Sequence, residues 1–169
     1  MMQKNNGLTL LECLIAIAIS CILLFSAITA YQTWVRTNQI KTLVDQFTDV
    51  LEYARDSAIT LNATIIFCPD NGDGTCGSHW TAGQIIVNET NQNILRTLPA
   101  MPNQYHLYWK STLGDSSELR WRADGFTRGQ QGSFLICAAK QHAQSAQIII
   151  LRTGRLRVII GKIAACKMT

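Results

Sequence analysis

Between Cys13 and Val35 the chain has no charged residue and no proline. Such a run is long enough to cross a bilayer as a helix. Proline is missing from the whole stretch between Leu8 and Cys68, so nothing there interrupts helical hydrogen bonding. Acidic residues nearly vanish from the other end: residues 119–169 carry nine Lys/Arg against the single acid Asp124, whereas residues 1–118 carry six against ten. That field attracts polyanions such as nucleic acid; the alternatives are a solvated face or an anionic lipid contact. Histidine is scarce as well. His79, His106 and His142 fall in a turn, a strand and a polar loop, with no hydrolase elbow, metal-ligand pair or phosphate loop around them, which excludes the usual catalytic constellations. The sequence reads as non-enzymatic, with no catalytic residue, metal or cofactor assigned.

Cysteine is plentiful by contrast, and its six copies form two classes. Cys13 and Cys21 lie in the apolar run, where a thiol serves as a small hydrophobe. Cys68, Cys76, Cys137 and Cys166 lie beyond it, an even number compatible with an oxidising compartment. Three pairings are open to them. Cys68–Cys76, closing a short turn-rich loop, and Cys137–Cys166, fastening the C-terminus onto the body, are favoured. A four-thiolate zinc site competes, but wants closer pairs than seven and 28 intervening residues provide. Within the first loop, Asp70-Asn71-Gly72-Asp73-Gly74-Thr75 superficially resembles a calcium loop, without the full spacing or distal glutamate of an EF-hand. A glycine-rich turn is the expectation there.

Glu12 heads the uncharged run, so its carboxylate should lie near or inside hydrocarbon and needs a partner. Before it, Met1 to Gly7 contains Lys4 and Asn5-Asn6 and ends in glycine. A secretory signal has its small-residue cleavage site after the apolar stretch. Here the glycine precedes that stretch, so processing should remove a short polar leader and retain the helix. The order Gly7-Leu8-Thr9-Leu10-Leu11-Glu12 followed by the apolar run resembles the type III signal of type IV pilins and type II secretion pseudopilins. The resemblance implies that a prepilin peptidase cuts after Gly7 and methylates the new N-terminus, Leu8, where phenylalanine is commoner. It also implies that Glu12, then the fifth mature residue, neutralises the N-terminal amine of a neighbouring subunit during filament assembly. Two costly charges would then share one intermolecular pair.

Helical periodicity continues past Arg36: Ile40, Leu43, Val44, Phe47, Val50, Leu51, Ala54, Ala58 and Leu61 recur at three- and four-residue spacing. One face therefore seeks a core, and Asp45, Asp49, Glu52, Arg55 and Asp56 occupy mostly other directions. A single helix of about 50 residues follows. After Asn62 the pattern changes to short β-prone runs divided by turn residues: Thr64–Cys68, Gln84–Val87, Ile94–Leu98, Tyr105–Trp109, Glu118–Trp121, Gly132–Cys137, Ala146–Arg152 and Arg155–Ile160. The last two are joined through Thr153-Gly154, a compact hairpin connection. The fold class is α+β, a helix backing antiparallel sheets. The expected organisation is a leader, 1–7; a hydrophobic transmembrane and filament-core helix, 8–34; its amphipathic continuation, 35–61; and a periplasmic β-rich domain with a basic tail, 62–169.

Cys68-Pro69 with a later cysteine and Trp80, the strand Ser133-Phe134-Leu135-Ile136-Cys137, and the terminal Gly154-Arg155-Leu156-Arg157 resemble the GspH/FimT family of minor pilins, the FimT-like branch best. That resemblance implies the type IV pilin-like fold, other major and minor pilins as partners, and single-pass residence in the inner membrane before assembly into an extracellular or periplasmic pilus. It further implies DNA binding during natural transformation, because FimT-like pilins carry a Gly-Arg-x-Arg motif near the C-terminus.

Read from the residues alone, a pair of hairpin arginines is commonly just solvated, and the family resemblance is what turns it toward DNA. Arg155 and Arg157 would project from one strand face, and two guanidinium forks suit phosphates. Gly154 permits a tight approach before them. Arg152, Lys162 and Lys167 widen the patch, with Arg128 and Lys140 as weaker candidates. The expected ligand is double-stranded DNA, gripped by its backbone without regard to sequence. Tyr105, Tyr108, Trp109 and Trp121 offer stacking to single strands, but core packing is the expectation for them. The alternative function is structural: a type II secretion pseudopilin, or a minor pilin that primes the pilus tip without touching DNA.

Overall fold

The computed structural model describes residues 10–112, 117–127, 129–139 and 144–167, without the side chains of Ser26, Thr29, Ala30, Thr33, Arg36 and Lys167. The expected cleavage site Gly7-Leu8, and Arg128, Lys140 and His142, lie outside these residues. The chain divides into two compact units, Met1–Asn38 and Gln39–Thr169. One helix, α1 (Leu10–Thr60), runs through the boundary and carries Glu12 in its first turn. In the first unit its large apolar side chains are exposed, among them Leu14, Ile22, Phe25 and Trp34. Among the described residues no helix is long and apolar enough to cross a membrane.

In the second unit most of the helical stripe read from the sequence is buried; Leu43 is half-buried, and Leu61, just past the end of the helix, is exposed. Ile40, Val44, Phe47, Val50, Leu51, Ala54 and Ala58 are all buried. The helix ends because Asn62 turns left-handed, with φ 49°. The Ala63 amide then reaches back to the Ala58 carbonyl at 3.1 Å, which satisfies a carbonyl the helix would otherwise leave open.

Among the described residues eight strands follow: β1 (Ile65–Pro69), β2 (Gln84–Asn88), β3 (Ile94–Leu98), β4 (Tyr105–Ser111), β5 (Leu119–Trp121), β6 (Gly132–Ala138), β7 (Ser145–Ile150) and β8 (Leu156–Gly161). They form two four-stranded sheets, ordered β3-β2-β1-β5 and β4-β6-β7-β8, antiparallel throughout. Three rings join the layers. Phe47 on α1 meets Phe67 of the first sheet at 5.7 Å and Phe134 of the second at 5.1 Å, edge to face, and Phe67 and Phe134 stand 5.8 Å apart. Such pairs add about 0.5–1.5 kcal/mol beyond their buried area. Tyr105 and Trp121 are buried in the same core and Trp109 packs against it, so three of the four rings weighed for stacking serve packing. Tyr108 alternates to the opposite face of β4 and stays half-exposed.

Both favoured disulfides are present, Cys68–Cys76 and Cys137–Cys166, each with Cα atoms 5.5 Å apart. In the first loop Asp70 Oδ1 accepts from the Gly72 amide at 2.9 Å, and Asp73 Oδ1 accepts from the Thr75 amide at 2.9 Å and its hydroxyl at 2.6 Å. These bonds hold the Asp73 carboxyl below its usual range, the Thr75 hydroxyl contributing most. The two aspartates thus shape the turn itself.

Candidate nucleic-acid interface

The hairpin β7–β8 departs from its expected form in a way that positions the arginines. The Gly154 amide donates to the Leu151 carbonyl at 2.8 Å and the Leu151 amide to the Arg155 carbonyl at 3.0 Å. The turn therefore covers Leu151-Arg152-Thr153-Gly154, and the strands stop at Ile150 and resume at Leu156 rather than reaching Arg152 and Arg155. The physical reason lies outside the ladder: the Arg152 carbonyl accepts from the Thr127 amide at 3.1 Å and from its hydroxyl at 3.3 Å. Gly154 takes φ 76°, the bulge conformation that follows such a turn.

Gly154 itself is buried. Its missing side chain leaves room for the Gly125 carbonyl, which accepts a 3.1 Å hydrogen bond from Arg55 Nε on α1. A Cβ at Gly154 would come within 3.0 Å of that Nε. Gly154 therefore sets the position of the hairpin and offers no exposed surface of its own. The Arg55–Gly125 junction was not legible in the sequence, because it joins residues 70 apart through a side chain that reads as a solvated helix cation.

From there the register assigns faces. Ile150, Ile148 and Ala146 are buried on the core side and pair with Leu156, Val158 and Ile160. Arg157 pairs with Ile149 and so stands on the outer face of the second sheet, and alternation puts Arg155 on the same side. Arg152, Arg155, Arg157 and Lys162 are all exposed, and among the described residues no carboxylate pairs with any of them. The structure thus places Arg152 in the turn, Arg155 directly after it and Arg157 at the second position of β8, all at one end of the hairpin. Lys162 follows β8 at its far end, and the Lys167 side chain lies outside the description.

Two other cations of the basic half are already engaged. Arg120 is held by Glu89 and Glu118, and Arg122 sits 3.3 Å from Asp124. The charge excess at the hairpin is consequently sharper than composition suggested. Near the end of the chain, Cys166 fastens the short turn Ala164–Lys167 to β6, which reduces the tail's freedom and the entropy lost on binding. Among the described residues, no group of three or more His, Cys, Asp or Glu is arranged to hold a metal ion.

Residues 43–154 match the family model described as Type II transport protein GspH, and residues 2–28 match the Prokaryotic N-terminal methylation motif. No curated protein sequence gives a significant match. Among solved structures, the type IV minor pilin FimU of Pseudomonas aeruginosa is similar in two crystal forms. The TM-scores are 0.58 and 0.56 at 18% identity, covering 72% and 71% of this chain and 89% and 92% of that one. The minor pseudopilin EpsH from the type 2 secretion system of Vibrio cholerae gives a TM-score of 0.53 at 16% identity, covering 71% of this chain and 95% of that one. At such identities the likeness establishes the fold, a helix backing antiparallel sheets.

Proposed function

Because the chain belongs to the Type II transport protein GspH family of minor pilins and pseudopilins, we propose that it is a minor type IV pilin that binds double-stranded DNA through Arg155 and Arg157 and supports DNA uptake in natural transformation. One observation carries the DNA reading: Arg155 directly after the turn and Arg157 on β8 are both exposed beside a turn tied to α1 through Gly154, Gly125 and Arg55, with no acid paired to them among the described residues. A subunit that only assembles has no need of such a patch. Arg152, Lys162 and Lys167 extend it.

The N-terminal methylation motif carries with it a prepilin peptidase and other pilins as partners. In the proposal, cleavage follows Gly7, methylation falls on Leu8, and Glu12 pairs with the amine of a neighbouring subunit. The uncharged run from Cys13 to Val35 anchors the chain in the inner membrane with its β-rich domain in the periplasm until assembly, when the exposed apolar side chains of α1 enter the filament.

Titration of unrelated duplexes with the full chain in non-ionic detergent tests this. Phosphate contacts identify no base, so affinities should agree between sequences and fall together as salt rises, by counterion release. Absence of binding, or an affinity indifferent to salt, would favour the structural alternative: a secretion pseudopilin or a tip-priming subunit.

A further inference from the structure

Lys110 played no part in the basic patch read from the sequence, yet the strand register places it in line with Arg157. Lys110 on β4 pairs with Ser133 on β6, Ser133 pairs with Ile149 on β7, and Ile149 pairs with Arg157 on β8. Directly opposed residues share a face, so these four form one row across the outer face of the second sheet. Lys110 and Arg157 lie on its two edge strands, separated by three strand spacings, about 14 Å.

The row is open. Lys110 and Arg157 are exposed, Ser133 and Ile149 half-buried. Ser133 Oγ accepts from Gln147 Nε2 at 3.0 Å, so a short polar side chain stands beside Ile149 in the middle of the row. The tail is tied down elsewhere: Cys137, which holds Cys166, lies four residues along β6 from Ser133, roughly 13 Å away. Among the described residues no carboxylate pairs with Lys110.

We propose that Lys110 is a further phosphate-binding residue, so that the DNA backbone runs across the outer face of the second sheet, from the Arg155–Arg157 turn to Lys110. This rests on the DNA-binding reading above and extends it from one hairpin to a strip spanning the sheet. The row recruits a cation from the part of the sequence where acids outnumber bases.

The test is a titration of a duplex with the full chain in non-ionic detergent, over a range of salt, comparing wild type with Lys110→Gln, Lys110→Arg, Arg155→Gln/Arg157→Gln and Lys41→Gln. The last removes the same charge from an exposed position on α1. Loss of one phosphate contact should weaken binding roughly eightfold at 0.1 M salt and flatten the salt slope by about 0.9. Lys110→Arg should retain both, and Lys41→Gln should leave both near wild type. Lys110→Gln binding like Lys41→Gln, while Arg155→Gln/Arg157→Gln loses affinity, overturns the proposal and leaves the DNA-binding reading intact. A loss without a change of slope also overturns it, because an edge-strand lysine that only discourages strand pairing acts through structure. Wild-type chain that fails to bind sinks both.

Discussion

A Cβ at Gly154 would lie 2.1 Å from the carbonyl oxygen of Gly125. That oxygen also accepts the Arg55 hydrogen bond, so a single acceptor ties the β7–β8 turn to the helix. Gly154→Ala must relieve a backbone overlap and a left-handed φ of 76° together. The expected cost is about 2–4 kcal/mol, read as a lower urea midpoint. An unchanged midpoint would show that the turn is free of the junction.

Much of this architecture was legible because its causes are local. The buried helical stripe, all eight strands and both disulfides follow from period, turn residues and cysteine placement. Family-level motifs marked the ends of the chain. The hairpin's true turn was not legible, because Thr127 draws the Arg152 carbonyl out of the ladder from 25 residues away. Nor were the Arg55–Gly125 hydrogen bond, which joins residues 70 apart, and the alignment of Lys110 with Arg157, which depends on which strand lies beside which. Arg120 reads like the other C-terminal arginines until its two glutamates are seen beside it.

The disulfides should differ in weight. Cys137 and Cys166 are 29 residues apart, Cys68 and Cys76 only eight. Closing the longer loop restricts the unfolded chain more, worth roughly 3.5 against 2.5 kcal/mol. Replacing both cysteines of the longer loop by alanine should therefore lower the urea midpoint further than the same change in the shorter one. The reverse order would contradict the chain-entropy account.

Alkaline pH offers a separate check on the core. Burial raises the Tyr105 phenol above its ordinary value of 10.0. Above pH 10 the unfolded chain therefore loses this proton first, and its contribution to stability falls as pH rises through the folded-state value. Between pH 9 and pH 11, wild type should lose more stability than Tyr105→Phe in urea unfolding. Equal losses would mean that Tyr105 does not feel the core.

Glu12 is proposed to act in assembly. Glu12→Gln should lower the amount of subunit recovered in sheared filaments while its level in the membrane fraction stays near wild type. Normal incorporation would remove that role from the account.

The central claim is that Arg155 and Arg157 hold DNA, and charge reversal tests it most directly. Full chain in non-ionic detergent is titrated into a labelled duplex at matched low salt, alongside Arg155→Glu/Arg157→Glu, with circular dichroism confirming that the fold survives. The account predicts at least a hundredfold loss, about what the removal of two phosphate contacts at 0.1 M salt, roughly 60-fold, becomes when repulsion is added. Equal affinity of wild type and the folded double variant would contradict it.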